Sequence, residues 1–181
     1  MDRTEKIWTD FSKSINGEIF QTKGTYSNPD NVFKIQNEKV TIDLIWADLP
    51  ESGRGPYVNI KSNFNFKLPE TTSTTLEITP NDSFSKLLLL FKKNKQKSQV
   101  LELDKKYIFI SNSNHFIRQL IIDLIPFSEN NRFNSFVIST SKGNGQNSLN
   151  IQVNALLIEK ADLEFVYKFG LLLCSRLSAS I

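Results

Sequence analysis

The side chains able to do chemistry are few, and their spacing argues against most reactions. His115 is the single histidine and Cys174 the single cysteine in 181 residues. Neither a multi-histidine metal site nor an intrachain disulfide can be built from them. His115 stands beside Ser113, Asn114 and Phe116, where a helix is expected to begin, and reads as a polar helix-start residue. Cys174 lies in LLLCSRL. Apolar surroundings raise a thiol's pKa and keep it inert, so it reads as a core residue. Ser83-x-x-Lys86 matches the short serine–lysine pattern of some acyl-transfer enzymes, but neither Ser-Asp-Asn nor Lys-Thr-Gly follows. Asp82 or Ser83 is better explained as an N-cap.

The stretch Lys142-Gly143-Asn144-Gly145-Gln146-Asn147 has two glycines where a dinucleotide fingerprint has three. The segment after it reads as a strand, so a hairpin turn is expected. Residues 132–139, RFNSFVIS, place Phe133, Asn134 and Ser139 where an RNA-binding sheet motif has glycine, aromatic and aromatic. Asp43, Asp48, Glu51, Glu77, Glu102 and Asp104 fall near expected strand ends. Two of them meeting in a cleft could divide acid and base roles, but their spacing selects no pair. No catalytic residue, metal ligand or cofactor is therefore assigned.

Charge is more informative. The formal net charge is +3, and residues 86–106 hold seven lysines against Glu102 and Asp104. The basic character is thus local, which argues against whole-protein nucleic-acid binding. Lys92, Lys93, Lys95, Lys97, Lys105 and Lys106 form the candidate basic patch, suited to nucleic acid or phospholipid headgroups if they share one surface. MDRTEKIW at the start has no signal-peptide layout. No apolar run reaches the roughly 18 residues of a spanning helix, and a reducing cytoplasm is expected.

The elements that must position these residues follow from periodicity. Ile7, Trp8, Phe11 and Ile15 lie within about 100° on a helix over 3–15, stopped by Asn16-Gly17, with glycine supplying the left-handed conformation. Strands are expected over 18–26, 32–36, 39–47 and 57–68. The last of these puts Val58, Ile60, Phe64, Phe66 and Leu68 on one face and Asn and Lys on the other. That pattern implies an antiparallel sheet covered on one side. Residues 69–73 read as a linker without a domain boundary. A strand over 74–79, a helix over 82–93 with Phe84, Leu87, Leu88 and Phe91 buried, and short strands over 99–103 and 106–111 come next. A helix over 114–125 ends at Pro126, and a hairpin joins 132–139 to 148–157.

The final helix, 162–179, carries an apolar surface far wider than a surface helix needs. Either it is sandwiched within the domain, the favoured reading, or Phe165, Phe169, Leu172 and Arg176 meet a partner, a second copy included. The fold expected is a single α+β domain over 1–181. It has a largely antiparallel twisted sheet of about seven to eight strands and about three to four helices mainly on one face. The function expected is a non-enzymatic intracellular interaction or regulatory domain, with a protein partner or self-association. The alternatives are an anionic-ligand module using the lysine patch and, third, a carboxylate enzyme.

Overall fold

Strict alternation of apolar and polar residues builds one sheet, and one core covers one of its faces. The computed structural model describes residues 3–23, 30–47, 60–88, 92–129, 133, 135–143 and 146–179. The elements in chain order are α1 (Arg3–Ser14), β1 (Glu18–Thr22), β2 (Asp30–Gln36), β3 (Val40–Ala47), β4 (Lys61–Leu68), β5 (Leu76–Pro80), α2 (Ser83–Leu88), β6 (Lys95–Gln96), α3 (Leu101–Lys106), β7 (Tyr107–Ser111), α4 (Asn114–Ser128), β8 (Phe136–Gly143), β9 (Gln146–Val153) and α5 (Lys160–Ala179). Among the described residues nine strands pair antiparallel in the order β1-β2-β3-β4-β9-β8-β5-β7-β6. With five helices among the described residues, both counts exceed the expectation. Two-residue β6 and six-residue α3 are too short to leave a periodic signature.

Register separates the two faces. Ile35, Ile42, Phe64, Ile151, Ile138, Ile78 and Phe109 run level across seven strands, and all are buried. One residue along, Thr41, Asn65, Asn150, Ser139, Glu77, Ile110 and Lys95 run level on the opposite face. Paired residues in a sheet share a face, so the first row is the core face and the second the opposite face, whose described residues are half-buried or exposed. α1, α4 and α5 bring Trp8, Phe11, Phe116, Leu120, Phe127, Leu163, Val166 and Leu173 to the core face. Trp8 packs on Phe33 and Trp46, and its indole N–H donates to the Leu157 carbonyl at 2.8 Å.

Several boundaries differ from the sequence reading. Residues 99–103 are not a strand. Gln99 has φ 67°, which breaks an extended path, and α3 starts two residues later. The Asp104 carboxylate accepts the Ser98 N–H at 2.8 Å and fixes that turn. α4 runs through Pro126 to Ser128 although proline gives up its i−4 hydrogen bond, because Phe127 is held in the core beyond it. The Glu129 N–H still reaches the Ile125 carbonyl at 3.0 Å. At the end of α1, Asn16 and not Gly17 takes the left-handed conformation, at φ 53°. Gly17 supplies space instead: a Cβ there would stand 2.8 Å from the Ile35 side chain. Ile60 is exposed ahead of β4, and the inward position after it belongs to Ser62, whose hydroxyl donates to the Ala155 carbonyl. Val58 lies outside the described residues.

Residues 69–75 carry the chain from β4, past β9 and β8, to β5. The Asn147 amide fastens this crossing by donating to the carbonyls of Pro69, Glu70 and Thr72 at 3.2, 3.1 and 3.2 Å. The expected hairpin is present as β8 and β9, and it closes between Gly143 and Gln146. α5 lies against β4 with Gly170 over the Phe66 ring, where a Cβ would stand 2.1 Å from ring carbons. Gly170→Ala is expected to lower stability by about 2 kcal/mol, overpacking outweighing the roughly 1 kcal/mol gained in helix propensity. Urea unfolding reads this directly; an unmoved midpoint would mean the ring has room to shift.

Candidate functional site

The lysine-rich segment folds along one edge of the domain, from α2 through β6 to α3. α2 opens with the Asp82 carboxylate accepting the Ser85 N–H at 2.7 Å, which makes Asp82 the cap and holds its pKa below the usual carboxylate value. The residue before it, Asn81, ties α2 to the end of α3. Its backbone N–H donates to the Lys106 carbonyl at 2.8 Å, and its amide donates to the carbonyls of Asp104 and Lys105. β6 then pairs on the outer edge of β7, with Gln96 level with Phe109. That is three residues beyond Lys106, roughly 10 Å of strand. The lysines of 92–97 and of 105–106 therefore share one edge of the sheet: Lys97 comes back toward Lys106, whereas Asn94, whose carbonyl accepts the Ser111 N–H, puts Lys93 roughly 17 Å farther along β7.

Six candidate lysines are exposed there, but they are not equivalent. Lys92 pairs with Glu77 of β5, and Lys105 pairs with Glu102 at 3.0 Å. Among the described residues, Lys93, Lys95, Lys97 and Lys106 have no carboxylate partner. The same edge exposes three large apolar side chains: Phe84 at 69%, Leu101 at 68% and Leu87 at 62%. Phe84 and Leu87, three apart, share a side of α2. The expectation that they are buried is therefore wrong; the described helix is Ser83–Leu88, and Phe91 lies outside the described residues. Large exposed apolar groups on the same edge as lysines without a carboxylate partner among the described residues are the feature that lysine spacing alone did not disclose.

Of the other candidate positions, Phe165, Phe169 and Arg176 have partners within the chain. In α5, Phe169 is buried and stacks on Phe127 of α4 at 4.3 Å between ring centroids. Phe165 stacks on the same ring at 5.6 Å and packs near Phe133. Arg176 is ion-paired with Asp123 at 2.7 Å, while Leu172 is partly exposed. Most of the apolar surface of α5 is taken up by the sheet, α1 and α4, with Leu172 left exposed.

The acid–base inventory is similarly dispersed. His115 is exposed beside Gln119, at 2.9 Å, in a helix capped by Ser113. Asp43 faces Lys34 at 3.7 Å, and Glu77, Glu102 and Asp104 contact a lysine, a lysine and a backbone N–H. Asp48 and Glu51 lie outside the described residues. Among the described residues, no three of His, Cys, Asp and Glu come together as a metal cluster. The Cys174 thiol is half-buried, and burial pushes its pKa up to about 12. Only the thiolate reacts. Alkylation by iodoacetamide at pH 8.5 is therefore expected to be on the order of 100-fold slower in the native chain than in guanidinium, and equal rates would contradict this burial.

The open face of the sheet offers a second surface. Phe20, Thr22, Val32, Lys34, Gln36, Asp43 and Ile45 line a depression of about 530 Å³ near the β1 edge. β1 is exposed at every position.

No protein-family model matches the chain, and no curated protein does. Among solved structures, the mycobacterial trehalose monomycolate transport factor A superposes with a TM-score of 0.51 at 8% identity, covering 98% of this chain and 96% of that one. A likeness at that identity concerns the fold: both chains share it over nearly their whole lengths. No helix among the described residues is long and apolar enough to cross a membrane.

Proposed function

We propose that this chain is a non-catalytic, intracellular interaction or regulatory domain that binds an anionic partner through the α2–β6–α3 edge. The observation carrying the reading is that four lysines without carboxylate partners among the described residues and three exposed large apolar side chains lie along one edge of the sheet. Lysine without arginine supplies point charges in place of planar bidentate recognition, which suits a dispersed anionic surface. The intracellular assignment is supported by a single cysteine in 181 residues. Titration with heparin, a soluble polyanion, at increasing salt tests the reading. Affinity should fall steeply with salt as the lysines release counterions; heparin binding that ignores salt, or no binding at low salt, would refute it.

A second reading is favoured by β1. Its five exposed residues, with Phe20 beside an open depression, support strand addition by a protein partner or by a second copy. Gln21→Pro would remove a backbone donor from that edge. Light scattering across concentration should show association lost in the variant if a second copy uses this edge, and a wild-type chain monomeric throughout would eliminate self-association.

A further inference from the structure

Resting on the anionic-partner reading, we infer that the α2–β6–α3 edge docks on the surface of an anionic lipid bilayer, with Phe84, Leu87 and Leu101 entering the headgroup region and the lysines along that edge contacting anionic headgroups. Charge alone would suit any polyanion. The apolar component distinguishes a bilayer. Phe84 and Leu87 lie on one side of α2, and Leu101 begins α3, whose other end is tied to the start of α2 through Asn81. Each of the three residues leaves more than three-fifths of its surface in water, although similar side chains are buried in one continuous apolar core. Surface burial of large apolar groups among lysines is how peripheral proteins combine shallow insertion with headgroup attraction. A nucleic-acid surface fits less well. It favours arginine and stacking aromatics, whereas residues 82–106 contain no arginine and the described exposed apolar groups include two leucines.

The test is co-sedimentation of the full chain with phosphatidylcholine vesicles and with vesicles containing about 30% phosphatidylserine. Binding to the anionic vesicles alone is expected. The combined Phe84→Ser, Leu87→Ser and Leu101→Ser variant should lose at least about tenfold in vesicle affinity while keeping its heparin affinity. The substituted side chains face water, so unchanged circular dichroism and urea midpoint accompany this result. A separate Phe84→Trp reporter should shift to shorter emission wavelength on the anionic vesicles. Heparin or RNA binding without vesicle binding, or a serine variant that binds vesicles like the wild type, would overturn the bilayer docking while leaving the anionic-partner reading standing. Loss of both vesicle and heparin binding by the wild-type chain would overturn both.

Discussion

Replacing Lys93, Lys95, Lys97 and Lys106 together by glutamine is expected to weaken binding to anionic vesicles by about 10³-fold at roughly 0.1 M salt, at about 1 kcal/mol for each lysine near an anionic surface. The four residues are chosen because none has a carboxylate partner among the described residues. Neutralising them leaves no orphaned acid. Surface changes of this kind move stability by only about 0.5 kcal/mol, so the fold should persist. Lys92 and Lys105 serve as the comparison, since each is already engaged with Glu77 or Glu102. Converting that pair to glutamine should weaken binding less, because part of their charge is neutralised in place and an exposed pair contributes at most about 1 kcal/mol to folding. Salt titration of both variants measures the difference: the quadruple variant should lose most of the salt slope, the double variant only part of it.

The largest effect on stability is expected at Phe127. This ring is fully buried and lies 5.3, 4.8, 5.6 and 4.3 Å, centroid to centroid, from Phe133, Phe136, Phe165 and Phe169. It joins α4 to β8 and to α5, with Phe136 stacked in turn on Tyr107 of β7. Phe127→Ala removes the shared member of four ring pairs and leaves a cavity among the remaining rings. The loss should be about 4 kcal/mol, a large share of the total stability of roughly 5–15 kcal/mol for a domain of this kind. Urea unfolding should show a much lower midpoint with the slope retained. A loss under about 1 kcal/mol would mean that α4 and α5 are not held together by this cluster.

Alkaline stability follows from the same burial. Tyr107 and Cys174 both have pKa values pushed up to about 12 because burial penalises the charged forms. The folded chain therefore holds these protons more tightly than the unfolded one. Stability is full below the unfolded values and declines as pH rises above about 9 for the thiol and about 10 for the phenol.

Much of the architecture was legible because long elements carry their own period. α1 and α5 are written in the spacing of Trp8 and Phe11 and of Leu163, Val166 and Leu173. β4 is written in Phe64, Phe66 and Leu68 against Asn63, Asn65 and Lys67. The failures share a physical cause. Residues 99–103 look extended by composition, but the turn at Gln99 depends on a bond between Ser98 and Asp104 that no local pattern announces. Pro126 is tolerated because Phe127 is anchored from outside the helix. At the α2–β6–α3 edge, the charge of 92–106 could be read directly, whereas the exposure of Phe84 and Leu87 could not. Periodicity tells which side chains share a face of a helix; only the tertiary fold decides whether anything covers that face. The one local hint was the adjacency of apolar residues and lysines, which a buried helix with a charged end would produce equally well.

The most direct test of the α2–β6–α3 edge as the binding surface is an amide chemical-shift titration of the isotopically labelled chain with a heparin fragment. Saturable changes concentrated in residues 84–87, 92–97 and 101–106, with β1 through β4 unmoved, are the predicted result. Changes centred on Phe20, Lys34 and Asp43 at the opposite end of the sheet, or spread evenly over exposed lysines such as Lys13 and Lys39, would contradict it.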